Sequence, residues 1–138
     1  MIKALIDTNI IIDIACERQP FFKDSAAVLE MIDRQKLQAY LSASIVTDIF
    51  YLLRKELGKQ KTIKFLKDLL QIMEILAVDK TIVLKALYSE NNDFEDQIQT
   101  QVALENELNM IITRNIKDYK SERSLRIITP QDFIREMK

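Results

Sequence analysis

The feature that most constrains this chain is an alternation of two kinds of segment. Short apolar runs recur between longer stretches in which apolar residues return every three or four positions. The short runs, at 2–6, 37–41, 74–78, 110–113 and 126–128, read as β-strands. The longer stretches, at 9–16, 25–33, 44–57, 59–73, 80–89, 93–107 and 131–137, read as helices. Strands separated by helices pack as a parallel sheet joined by right-handed crossovers and covered on both faces. The expected class is therefore α/β. No repeat, low-complexity tract or Gly/Pro/Ser linker interrupts the pattern, so residues 1–138 are expected to form a single domain. Pro130 suits the first turn of the last helix, where a missing N–H costs nothing, and Gly58 separates two helical runs as a C-terminal cap would.

Composition then removes whole classes of chemistry. The chain has no histidine, a single glycine, Gly58, and a single cysteine, Cys16. Imidazole bases, Ser/His and Cys/His nucleophile pairs and thiolate zinc clusters are thereby excluded. One glycine cannot build a phosphate-cradling P-loop or a dinucleotide-binding turn. Lys plus Arg number 20 against 21 Asp plus Glu, so net charge argues neither for nor against a polyanion. One thiol forms no internal disulfide, and the longest apolar run, residues 49–53, cannot span a bilayer. A reducing cytoplasm and no membrane partner are the expectations. Carboxylate is the chemistry left in abundance.

In an open parallel sheet, ligands bind beyond the carboxyl ends of the strands. Four polar elements fall at or near such ends. The first strand runs into Asp7, Thr8 and Asn9, where Asp7 or Thr8 also suits an N-cap. Asp48 follows Thr47 in an apolar stretch whose helical spacing sets it beside Ile45, Ile49 and Leu52. An acid on a buried face there needs a cation, donors or water, so Arg54, a lysine or a metal is expected to meet it. Asn91, Asn92, Asp93, Phe94, Glu95 and Asp96 open the helix that continues through Ile98 and Val102. Asp93 and Asp96 share a face, Glu95 is expected to point well away from Asp93, and acids in a first turn also serve as caps or dipole partners. After the fourth strand come Thr113, Arg114, Asn115, Ile116, Lys117, Asp118 and Tyr119. Carboxylates converging with oxygen-bearing neighbours form a hard-ligand site for Mg²⁺ or Mn²⁺. Such ions activate water and stabilise the leaving oxygen of a phosphodiester displacement without any imidazole.

These residues resemble the PIN domain, the fold of the VapC toxins of toxin-antitoxin pairs and of related metal-dependent ribonucleases. The family pattern of D-T-N after the first strand is matched by Asp7, Thr8 and Asn9. Its second acid, often Glu, is matched in place by Asp48, and its third, near the start of a later helix, by Asp96. A D-F-x-D branch adds Asp93, and the T-R-N-x-x-D-[FY] string is matched by Thr113, Arg114, Asn115, Asp118 and Tyr119. The resemblance spans essentially the whole chain. It implies an α/β/α sandwich around a parallel sheet of about five strands in the order 3-2-1-4-5, dependence on Mg²⁺ or Mn²⁺, RNA as substrate, an antitoxin partner and a homodimer.

On that reading Asp7, Asp48, Asp96 and Asp118 are the catalytic residues, with the metal on Asp7, Asp96 and Asp118. Asn115 is the alternative to Asp118. Thr8, Asn9, Asp93, Thr113 and Asn115 assist by orienting ligands or water. The basic residues Arg114, Lys117, Lys120, Arg123 and Arg126 lie near this site in sequence, and Arg114, Lys117 and Lys120 are expected to meet the RNA backbone. A second basic group, Arg54, Lys55, Lys59, Lys61, Lys64 and Lys67, reads as a solvated face. Tyr119 could stack on a base, whereas Tyr51 is expected in the core. Two other readings compete with the nuclease. A PIN-like module could bind RNA or protein without turnover. A phosphatase of the haloacid-dehalogenase type would need a second Asp two residues after Asp7, where this chain has Asn9.

Overall fold

A computed structural model describes residues 1–89, 93–120 and 124–138. Asn91, Asn92 and Arg123, named above among the acidic and basic groups, lie outside the described residues. The elements run β1 (Lys3–Ile6), α1 (Thr8–Ala15), α2 (Phe22–Asp33), β2 (Gln38–Ser42), α3 (Ala43–Leu57), α4 (Lys59–Leu69) and β3 (Glu74–Leu76). They continue with α5 (Lys80–Leu87), α6 (Phe94–Glu105), β4 (Met110–Ile112), a 3₁₀ turn (Ile116–Asp118), β5 (Arg126–Ile128) and α7 (Pro130–Met137).

All strand pairings are parallel, and the sheet order is β3-β2-β1-β4-β5. This is the expected 3-2-1-4-5 order. Side chains alternate across β1, so Ala4 and Ile6 face one core and Leu5 faces the other. The first core gathers Ile10, Ile11, Val28, Leu41, Ile45, Ile49, Leu53, Ile112 and Phe133 from α1, α2, α3, α7 and the inner strands. The second joins Leu5 and Ile111 to Ile82, Ile98, Val102 and Ala103 from α5 and α6. Each such aliphatic side chain contributes about 1.5–3 kcal/mol on full burial. Burial on both sides is why the central strands read as unbroken apolar runs.

Local chemistry sets the boundaries. Asp7 caps α1, Ser42 caps α3, Asp79 caps α5, Asp93 caps α6 and Thr129 caps α7, each accepting a backbone N–H from the first turn. Gly58 closes α3 and opens α4 at φ +82, a left-handed conformation that glycine adopts without strain. The expected fourth helix overshot: α4 stops at Leu69, and a turn through residues 70–72 delivers the buried Met73 to the sheet. The expected third strand is also shorter, since Asp79 must leave the sheet to cap α5. The second helix begins earlier than its apolar period suggests, at Phe22. No helix among the described residues is long and apolar enough to cross a membrane.

Two features of this topology place the site. β1 sits between β2 and β4, so the chain leaves its carboxyl end at the point where the strand order reverses. The ladder also continues one residue past the strands. The Asp7 N–H donates to the Ile112 carbonyl at 3.1 Å and the Thr113 N–H to the Ile128 carbonyl at 2.9 Å.

Candidate functional site

Asp7 and Thr113 stand side by side at the ends of β1 and β4, joined by a 2.7 Å hydrogen bond from Thr113 Oγ1 to Asp7 Oδ2. The Tyr119 hydroxyl donates to the same oxygen at 3.0 Å, and Asp7 Oδ1 accepts the Thr8 N–H at 2.8 Å. Capping and site-building are therefore two uses of one carboxylate. Thr113 is fully buried, and its hydroxyl also accepts the Asn115 N–H at 3.1 Å and the Asn9 amide at 3.4 Å. Asn9 Oδ1 in turn accepts the Arg114 N–H at 3.2 Å. The turn after β4 is thus tied to the start of α1 along its length.

Around Asp7 several acids act on one another. Burial first, then the negative charges of Asp93, Asp7 and Asp118, push the Asp96 carboxyl up to about 7. Burial together with Asp48, Asp93 and Asp7 raises Glu95 as well. Tyr119, only 7% exposed, has its phenol held protonated first by burial and then by the charges of Asp7 and Asp96. Each of the four polar elements read from the sequence therefore acts on Asp96 or Glu95, and Glu95 itself is exposed in the first turn of α6.

Several expectations are corrected by burial. Asp48 is exposed, because the covered stripe of α3 is the narrow row Ile45, Ile49 and Leu53, and Leu52 beside it is itself 47% exposed. Among the described residues no ion pair joins Asp48 to Arg54 or to a lysine. Tyr51 is exposed rather than in the core, and Tyr119 is buried with its hydroxyl on Asp7, where no base can stack on it. Arg114 is not a free cation. Its Nε donates to Asp13 Oδ2 at 2.6 Å, its Nη2 donates to Oδ1 at 3.3 Å, and its guanidinium lies 3.9 Å from the Phe21 ring centroid. Arg126 is paired with Glu136, away from the acids. Lys117 and Lys120 remain exposed beside the turn, as do Asn115 and Asp118. Lys64 pairs with Asp68 one turn along α4, within a face of exposed basic residues.

Asp13 is the residue that sequence reasoning missed. It is fully buried in the run Ile10, Ile11, Ile12, Asp13, Ile14. An acid inside an apolar run was the signal, and it was read at Asp48 while Asp13 carried it more strongly.

The donors around Asp7, Asp96 and Asp118 are hard oxygens with uncompensated negative charge, which suits a small divalent cation. The Thr8 hydroxyl beside them is buried with no hydrogen-bond partner among the described residues. Among those residues no three acids converge tightly enough to enclose an ion by themselves.

Comparison with known proteins agrees with this fold. The profile of the PIN domain family matches residues 3–117. The chain is 26% identical over 136 residues to Ribonuclease VapC1 of Aquifex aeolicus, covering 95% of this chain and 92% of that protein. Among solved structures it is similar to a toxin-antitoxin complex from Klebsiella pneumoniae, with a TM-score of 0.69, 25% identity, and coverage of 92% of this chain and 97% of that one. It also shares the fold of the DNA-bound VapBC of Salmonella typhimurium, at TM-score 0.66 and 15% identity over 94% of this chain and 99% of that one.

Proposed function

The chain belongs to the PIN domain family, and on that footing we propose that it is a Mg²⁺- or Mn²⁺-dependent endoribonuclease, the toxin of a toxin-antitoxin pair. The observation that carries this reading is the crowd of carboxylates at the β1/β4 crevice, crowded enough to push Asp96 up to about 7. Self-repelling acids of this kind destabilise the fold unless a cation completes them. The names of the relatives, a ribonuclease and toxin-antitoxin complexes, support the same substrate class and an antitoxin partner.

In this reading Asp7, Asp96 and Asp118 hold the ion, and Asp48 and Asp93 complete the negative field around it. A bound divalent ion supplies an activated water and a counter-charge for the scissile phosphate. The remaining work is done by the chain. Thr113 and Tyr119 fix the Asp7 carboxylate, and Asn9 ties the β4 turn to α1, so the donors need no rearrangement when substrate arrives. Asp118 rather than Asn115 is taken as the ligand from this turn, since its charge acts on Asp96. Lys117 and Lys120, exposed in and just after the turn that follows β4, draw in the phosphate backbone. Displacement at phosphorus by water leaves a 5′-phosphate and a 3′-hydroxyl.

Leu84, Leu87 and Tyr88 are exposed on and just after α5, with Tyr51 and Leu52 exposed on α3, and such apolar surface favours the homodimer. The single thiol of these 138 residues suits a reducing cytoplasm, and the whole of 1–138 forms one PIN domain.

The test is RNA cleavage with Mg²⁺ or Mn²⁺, followed by mapping of the new ends. Cleavage should cease with EDTA and in Asp7→Asn and Asp96→Asn. Undiminished cleavage in both variants would overturn the assignment. A folded protein that neither cleaves RNA nor gains thermal stability with millimolar Mn²⁺ would instead be the binding module without turnover.

A further inference from the structure

A carboxylate offers about four lone-pair sites, two on each oxygen. At Asp7 three are taken by hydrogen bonds from the protein itself. Oδ2 receives two donors, Thr113 Oγ1 at 2.7 Å and the Tyr119 hydroxyl at 3.0 Å, and is therefore saturated. Among the described residues Oδ1 receives only the Thr8 N–H, at 2.8 Å, and keeps one site open. The two halves of one carboxylate are not equivalent.

We infer that Tyr119, acting with Thr113, reserves Oδ2 as a hydrogen-bond acceptor and leaves Oδ1 as the oxygen of Asp7 that meets the ion, making Tyr119 a positioning residue that sets metal selectivity. The inference rests on the proposed metal site. Its consequence is chemical. Mg²⁺ and Mn²⁺ suit compact octahedral sites built from single carboxylate oxygens and water, whereas Ca²⁺ takes more oxygens and accepts bidentate carboxylates. An Asp7 confined to one available oxygen serves the smaller ions and handicaps Ca²⁺.

The family string that this turn resembles admits Phe or Tyr at position 119, and only Tyr carries the hydroxyl. Tyr119 is buried in the second core beside Leu5, Ile98 and Leu125, so Phe retains the ring packing. Burial also fixes the position of the hydroxyl oxygen, 3.0 Å from Asp7 Oδ2, since the ring has no room to swing away.

The experiment measures Mn²⁺ and Ca²⁺ dissociation constants by calorimetry on the full metal-free chain, without RNA. The ratio of the Ca²⁺ to the Mn²⁺ constant should fall by about tenfold in Tyr119→Phe, the low end of what loss of an orienting partner costs. Thr113→Val should move the ratio the same way, and Thr113→Ser, which restores the hydroxyl, should return it toward the wild-type value. A merely structural role would weaken both ions by the same factor, and an unchanged ratio in Tyr119→Phe overturns the inference. Asp7→Asn separates this failure from failure of the metal site. If Asp7→Asn binds Mn²⁺ as tightly as the wild type, the site itself is misassigned. If it loses Mn²⁺ while the Tyr119→Phe ratio stays fixed, only the selectivity role falls.

Discussion

Asp13 and Asp7 both meet the turn that follows β4, and the fold treats them in opposite ways. Asp13, fully buried, receives two hydrogen bonds from the Arg114 guanidinium, which is itself covered by Phe21. Asp7, half-buried, receives neutral donors from Thr8, Thr113 and Tyr119 among the described residues, and the carboxyl groups whose pKa it raises, Glu95 and Asp96, are acids like itself. The first acid is complete within the chain and ties α1 to the turn. The second is left electrostatically open. On the proposed function, the two acids thus divide into structure and function by whether the protein supplies the cation.

Breaking the open side should have the largest effect. Asp7→Asn and Asp96→Asn should lower metal-dependent RNA cleavage by more than about 100-fold, beyond the range expected for residues that only orient ligands. Circular dichroism should show both variants folded. Breaking the closed side should cost stability instead. Asp13→Ala leaves the guanidinium without its carboxylate and should destabilise the protein by about 3 kcal/mol in urea unfolding, the lower end for broken buried pairs because Arg114 keeps some exposure. If Asp13→Ala unfolds at the wild-type urea concentration, the contrast between the two acids fails.

A pH titration sharpens the comparison with a smaller effect. Asp96 has its folded pKa raised, to about 7, from an unfolded value near 4. The unfolded state therefore loses its proton first, and stability is greatest when Asp96 is protonated and declines as pH rises through about 7. In EDTA, the melting temperature should fall between about pH 5 and about pH 8, and Asp96→Asn should flatten that fall. Millimolar Mn²⁺ should reverse it, because metal binding favours the ionised carboxylate. The smallest expected effect concerns the rim. Lys117→Ala and Lys120→Ala should each lower the slope of log affinity against log salt by about one for an RNA bound without cleavage, measured in the Asp7→Asn background.

The parts of this molecule legible in its sequence are those governed by local spacing. Strand order apart, the five strands follow from short apolar runs, and burial on both faces leaves β4 and the inner length of β1 no polar position to break them. Asp7 and Asp96 are legible because one ends a strand and the other opens a helix. Asp13 and Asp48 exchange roles for a reason that spacing cannot supply. Whether an acid in an apolar run is buried depends on which face of its helix is covered, and the partner of Asp13 lies 101 residues away. The role of Tyr119 is hidden in the same way, since its hydroxyl finds Asp7 across 112 residues of chain.

The backbone bonds that carry the ladder past β1 and β4 have a consequence for how such a site can be switched off. The amides of Asp7 and Thr113 are locked to the Ile112 and Ile128 carbonyls, so both belong to the cooperative unit of the central sheet. Their hydrogens should exchange with solvent only on global opening, as slowly as those of Leu5 or Ile111. Local melting at the edges of the sheet therefore leaves the backbones of Asp7 and Thr113 in place.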